Sequence, residues 1–270
     1  MTFTLTKHHG LGNDFLVFDL AQTDASLNWS ERARRWCDRR FGIGADGLLL
    51  LDRRAEPKLV MTLYNADGSR AEMSGNGIRC LVQAAYMAQG RVGEDTYEVV
   101  TDAGLRMVTV SDGPDPRVIE ASVEMGTIND LNPPTDWHFL GVNPDRPVRH
   151  VSLGNPHSVV GVDDVTTVPL EDLGPKVPNV NLEVVAAGPE DNAVTMRVHE
   201  RGSGITMACG TGACAVAAVV REQSGKKINN VQIDLPGGTL SITFINGKMV
   251  MRGPAVLEET GTLPESWFAN

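Results

Sequence analysis

The chain has 270 residues, 41% of them hydrophobic and 21% charged, with a formal net charge of −10 at neutral pH. That acidity argues against a nucleic-acid surface, which needs a basic face for phosphate; the opening "MTFTLTKHHG" lacks the features of a secretory signal, and no apolar run reaches the ~18 residues of a membrane span. Cys37, Cys80, Cys209 and Cys214 are scattered without a CxxC pair, which argues against a zinc site or a disulfide scaffold and points to a cytoplasmic protein with reduced thiols.

In chain order, the first element is "LGNDFLVFD" (11–19), an apolar run behind a turn. Next, "NADGSRAEMSGNGIRC" (65–80) is a glycine-rich loop that runs into an apolar stretch. Its Ile78, Leu81, Val82 and Ala85 stand at the spacing of one buried helix face, and Gly90 supplies a helix stop. "YEVVTDAGLRMVTV" (97–110) alternates on both sides of a glycine turn and reads as a hairpin. Turn formers cluster in "SDGPDPR" (111–117), where the chain is expected to pass from one half to the next.

The pattern then begins again. "LGNPHSVVGVD" (153–163) echoes the first element, and "ERGSGITMACGTGAC" (200–214) echoes the glycine loop, with Cys209 placed 135 residues after Ser74. The same offset carries Asn65 onto Glu200, Gly75 onto Gly210, Gly77 onto Gly212 and Gly90 onto Gly225. It also carries the apolar helix face onto Ala213, Val216, Ala217 and Val220, and a second hairpin follows in "VQIDLPGGTLSITF" (231–244). Matches in the same order point to an internal duplication. The expected fold is α+β, in two pseudo-symmetric halves, each of antiparallel strands wrapped around a central helix, with the active site in the cleft between them. The halves are expected at residues 1–115, rejoined by 258–270 with "PESWFAN" packing back, and at 116–257.

The familiar glycine-loop chemistries fit poorly. "GTGACA" (210–215) matches a dinucleotide fingerprint but starts too near the C-terminus for that fold, and neither loop carries the GK[ST] of a P-loop. Glu72 and Asn76 occupy the glycine positions that a nucleophile elbow around Ser74 would need. An anion site fits better: glycines admit a ligand to the backbone, and a helix N-terminus offers free N–H groups to a small carboxylate. Cys209 stands where a helix end commonly lowers a thiol pKa. Two such loops suit the inversion of a stereocentre, in which one residue removes a proton from one face and another returns it to the other.

"HGLGNDF", "GIGADG", "NADGS", "SGNGIRC", "GNPH", "NVNLE", "ERGSG" and "ACGTGAC" run along nearly the whole chain and resemble, in family order, the diaminopimelate epimerases. The resemblance implies interconversion of LL- and meso-2,6-diaminopimelate, in lysine and cell-wall precursor synthesis, without pyridoxal phosphate or metal. It implies that Cys209 is one of two catalytic cysteines, that Glu200 is the acid, and that His157 stands near the catalytic pair. It implies substrate binding by Asn13, Asn65, Asn155, Asn179 and Arg201, and by Gly75, Asn76, Gly210 and Thr211 at the two helix ends. Gly47 stands where some members have a side chain that touches substrate.

The chain departs from the family at Ser74, where the second catalytic cysteine falls. Serine keeps the size and the hydrogen bond but is a much poorer base, and Cys80 lies inside the helix. Two rival readings accompany the resemblance: a proline-racemase-like epimerase, and a non-catalytic amino-acid-binding homologue. The expected partner is a small amino acid, with no nucleic acid and no membrane; a homodimer is left open.

Overall fold

The computed structural model describes residues 2–23, 27–54, 57–223, 225, 228–264 and 267. The chain forms two compact units, Met1–Val123 with Pro254–Asn270, and Glu124–Gly253. Unit 1 contains β1 (Thr2–Gly10), β2 (Asn13–Asp19), α1 (Trp29–Cys37), β3 (Gly47–Asp52), β4 (Leu59–Asn65), β5 (Arg70–Ala71), α2 (Gly75–Ala88), β6 (Asp95–Thr101), β7 (Gly104–Asp112) and most of β8 (Val118–Gly126). Unit 2 contains β9 (Asn129–Asp130), β10 (Val148–Ser152), β11 (Pro156–Gly161), α3 (Leu170–Leu173), β12 (Asn181–Ala187), β13 (Ala193–Glu200), β14 (Gly204–Thr206), α4 (Gly210–Gln223), β15 (Asn230–Leu235) and β16 (Gly238–Ile245). The last strand, β17 (Lys248–Pro264), begins in unit 2 and ends in unit 1.

The pairing pattern carries the duplication. In unit 1, β1 is antiparallel to β2, β2 parallel to β3, and β3 antiparallel to β4. β4 carries β5 and runs parallel to β6, after which β7 and β8 follow antiparallel. β10 to β17 repeat this order of parallel and antiparallel pairings strand for strand. β17 also pairs with both β1 and β8, and the Leu257 N–H donates to the Arg117 carbonyl, so the row of unit 1 closes on itself.

Two expectations are corrected here. The strands are not purely antiparallel, because each unit has two parallel pairs. A parallel pair needs a crossover, and α1, α2, the segment containing α3, and α4 supply the four of them. The second correction concerns "SDGPDPR", which is no linker: the Gly113 N–H donates to the Val118 carbonyl and the Val118 N–H to that of Asp115, forming the hairpin turn between β7 and β8. Of "PESWFAN", Pro264 pairs with Thr2 and Trp267 packs on the apolar cluster around Phe3 and Trp36. Residues 265–266 and 268–270 lie outside the described residues.

The core explains which sequence patterns appear. Strands β2, β3 and β12 are buried along nearly their whole length, as strands covered on both faces are. Leu16, Phe18, Leu48 and Leu50 pack with Trp29 and Trp36 of α1, whereas Leu49 faces Gly77 of α2. α2 packs against β1, β2, β3, β4 and β7, and α4 against β10, β11, β12, β15 and β16. Ile78, Leu81, Val82, Ala85, Ala213, Val216 and Ala217 are fully buried, and Val220 is half-buried. Gly90 and Gly225 take left-handed φ values of 62° and 59° just past the two helices, a conformation that favours glycine.

Because Leu81 is enclosed on the inner face of α2, Leu81→Ala should destabilise the fold by about 2–5 kcal/mol. Urea unfolding checks this.

Candidate active site

In unit 1 the site residues gather at the start of α2. Ser74 is its N-cap, with extended backbone (φ −134°, ψ 127°) and Oγ accepting from the Gly77 N–H at 3.0 Å. Its carbonyl accepts the first helical hydrogen bond, from Ile78. Asn76, one residue into the helix, is buried; its amide Nδ2 donates to Asn13 Oδ1 at 3.1 Å, and Asn13 Nδ2 donates to Asp46 Oδ2 at 2.7 Å. Arg79 is fully buried and fixes this arrangement, donating to Asn76 Oδ1, to the Gly75 carbonyl and to the Pro254 carbonyl. Asn65 ends β4, pairs with Gly47 across the ladder and donates from Nδ2 to Ser69 Oγ. Gly47 makes no side-chain contact, and a Cβ there would stand 2.8 Å from the Tyr64 carbonyl oxygen.

Unit 2 repeats this geometry with different chemistry. Cys209 precedes α4, its carbonyl accepts from the Ala213 N–H, and its Sγ accepts from the Gly212 N–H at 3.4 Å. Thr211 Oγ1 lies 3.5 Å from the sulfur and accepts from Asn155 Nδ2 at 3.2 Å. Asn155 Oδ1 in turn accepts from His157 Nε2 at 3.0 Å, and His157 Nδ1 lies 2.6 Å from Glu183 Oε1. Gly210 and Thr211 are buried, as is Gly75 in unit 1. Glu200, the last residue of β13, accepts from Thr206 Oγ1. The Arg201 side chain is exposed, while its backbone N–H donates to Asn181 Oδ1 at 2.8 Å.

Sequence reasoning selected Asn179 from "NVNLE", but Asn179 is exposed on the turn before β12. Asn181, two residues later, is buried on the strand, pairs with His157 and holds the backbone at Arg201. Glu183 and Arg79 were also missed. Strand alternation carries the signal for Glu183, which shares the face of Asn181. Arg79 was legible as a charged residue next to the apolar helix positions Ile78 and Cys80.

The electrostatics reverse one expectation. Burial pushes the Cys209 thiol well above its ordinary 9.0, and the charges of Glu200 and Glu183 push the same way; the hydrogen bonds with Thr211 and Gly212 pull it back only in part. The positive helix end is outweighed because the sulfur is buried beside two acids. Burial also raises the Glu183 carboxyl, against the pull of His157. Cys37 and Cys80 are pushed up to about 12, chiefly by burial, so Cys80 cannot stand in as a base near neutral pH. Among the described residues, no cluster of three His, Cys, Asp or Glu is placed to hold a metal, and no helix is long and apolar enough to cross a membrane.

These thiols have raised pKa values in the folded chain, so they favour folding fully below pH 9 and progressively lose that contribution as the pH rises above it. The ultraviolet absorbance of their thiolates should therefore appear well above pH 9 in the folded protein, and near 9 in urea.

A diaminopimelate epimerase family profile matches residues 5–129 and 149–258. The diaminopimelate epimerase of Microcystis aeruginosa is 38% identical over 284 residues, covering 98% of this chain and all of that protein. That of Thermosynechococcus vestitus is 39% identical, again over 98% of this chain and the whole of the relative. Among solved structures, a Bacillus anthracis phenazine biosynthesis protein of the PhzF family has a TM-score of 0.73 at 12% identity, covering 98% of this chain and 99% of that one. A hydroxyproline epimerase of Agrobacterium vitis, with bound trans-4-hydroxy-L-proline, has a TM-score of 0.68 at 14% identity, covering 97% of this chain and 91% of that one. At such identities these two show a shared fold.

Proposed function

From the premise that the chain belongs to the diaminopimelate epimerase family, we propose that it interconverts LL- and meso-2,6-diaminopimelate by proton transfer at Cα. The observation that carries the proposal is the pair of helix caps. Ser74 and Cys209 head equivalent helices, and each is a side chain that can hold a proton at that place. Inversion takes a proton from one face of Cα and returns one to the other, so one acid–base residue from each repeat meets the need. Charge developing on the substrate carboxylate as Cα is deprotonated is stabilised by the N–H groups of Gly75, Asn76, Gly210 and Thr211.

In this proposal His157 and Glu200 support proton transfer on the Cys209 side. Asn13, Asn65, Asn155 and Asn181, with both donors and acceptors, bind the ammonium and carboxylate groups, and Arg201 binds a carboxylate through its guanidinium. No pyridoxal phosphate or metal enters the reaction, and the enzyme works in the cytoplasm on a free amino acid, as a monomer or a homodimer.

The test is conversion of LL-diaminopimelate to the meso form by the purified chain; absence of turnover, with the Ser74→Cys variant inert as well, would refute the proposal. Ser74→Cys should raise kcat by about 10²–10⁴, the worth of a matched general base. In deuterium oxide, the unmodified chain should exchange one isomer faster, the one whose Cα–H is taken by Cys209. Equal and rapid exchange of both isomers would show serine to be a competent base here.

Asn181→Ala should raise KM, whereas Asn179→Ala should leave it unchanged, since only Asn181 is buried beside His157 and Arg201. Steady-state kinetics on the two variants separate these positions.

A further inference from the structure

The two repeats differ most sharply behind their caps. Phe15 pairs with Gly47 on β3, and His157 pairs with Asn181 on β12, so Phe15 and His157 hold equivalent places. Two residues further along the second strand, on the same face, stand Leu49 and Glu183. The caps are disposed toward them in the same way. A Cβ on Gly77 would stand 3.3 Å from Ser74 Oγ and 3.4 Å from Leu49 Cδ2; one on Gly212 would stand 3.3 Å from Cys209 Sγ and 2.8 Å from Glu183 Oε1. Leu49 thus stands near Ser74 where Glu183 stands near Cys209, and on the adjoining strands Phe15 holds the place of His157.

Glu183 and His157 are each fully buried. One oxygen of the carboxyl group is bound to His157 Nδ1, and the other, Oε2, has no hydrogen-bond partner among the described residues. A buried acid with an open oxygen is costly unless it does something that an apolar pair would not, because an apolar pair in its place is commonly neutral or stabilising. Unit 1 holds such a pair at the equivalent positions. His157 Nε2 donates to Asn155 Oδ1, which leaves a single proton shared between His157 Nδ1 and Glu183 Oε1. The carboxyl end of this dipolar pair lies toward Gly212 and Cys209.

We propose that Glu183 is a positioning residue for Cys209: held by His157 with its carboxyl group near the sulfur, it acts with burial and Glu200 to keep Cys209 a thiol, and so a proton donor, in the ligand-free chain. This rests on the reading of Cys209 as one of the acid–base residues. Of the other titratable groups nearby, Glu200 on β13 also acts on the sulfur and is left unchanged when Glu183 alone is replaced, and His157 on β11 retains its second partner, Asn155. Leu49 in the equivalent position gives Ser74 no such control.

The test is a titration of the Cys209 Cβ by 13C-cysteine NMR, in the parent chain, in Glu183→Gln and in the double variant His157→Phe with Glu183→Leu. Glutamine keeps the size and removes the charge. The double variant installs the pair that unit 1 already packs, so it serves if the single variant fails to fold. The midpoint should fall by about one pH unit in both. The pH limb of kcat/KM that belongs to Cys209 should fall with it in Glu183→Gln, whereas a merely structural role would lower the rate equally at every pH. A midpoint unmoved in both variants, or a uniform rate loss with a fixed limb, would overturn the proposal. The titration needs no substrate. A chain inert toward diaminopimelate both as it stands and as Ser74→Cys, whose Cys209 midpoint still moved, would refute the epimerase reading and leave the control of the thiol by Glu183 standing.

Discussion

A helix walled in by strands cannot give its first N–H groups to water, so whatever stands at its mouth must accept them. In each repeat that acceptor is the residue on which the proposed chemistry depends. Ser74 Oγ takes the Gly77 N–H at 3.0 Å and Cys209 Sγ takes the Gly212 N–H at 3.4 Å. The glycine at the third helical position follows from the same constraint, since a side chain there would press on the cap itself. Sulfur is a weaker acceptor than a hydroxyl. The Cys209 cap is accompanied by a chain of side chains, Thr211, Asn155, His157 and Glu183, joined by successive hydrogen bonds.

The parallel pairs place these caps. A strand leaves β4 or β13, passes through the enclosed helix and returns as β6 or β15 beside the strand it left. In both repeats the helix begins ten residues after the strand end that carries Asn65 or Glu200. The other crossover, through α1 or the segment around α3, covers the far face of the neighbouring strands and makes them apolar on both sides. A polar residue on such a strand is therefore conspicuous, and His157, Ser158, Asn181 and Glu183 are the ones that β11 and β12 keep buried.

The backbone is duplicated more faithfully than the chemistry. Order and direction of pairing, helix length and helix stop all recur, yet Phe15 and Leu49 become His157 and Glu183. Asn76 and Thr211 likewise take one role with different groups, each bound to the asparagine at the start of β2 or just before β11. Fold and function are separable here because the ladder hydrogen bonds depend on the main chain, whereas the inward side chains need only fill similar space.

The sequence by itself determined the duplication, the two enclosed helices and the family, because each is written in features local to the chain: a constant offset, a helical period, a glycine stop and motifs in a fixed order. It also determined Asn13, Asn76, Asn155 and His157 as candidate residues, all of which stand within a motif. Only the tertiary structure decided the parallel pairs, which depend on which strands meet after a crossover. It alone put Asn181 rather than Asn179 on the buried strand, since the two differ by where the turn ends. The rise of the Cys209 thiol was equally out of reach, because the helix end that would lower it is adjacent in sequence, while the burial that chiefly raises it, and the charges of Glu200 and Glu183 that add to it, come from other strands.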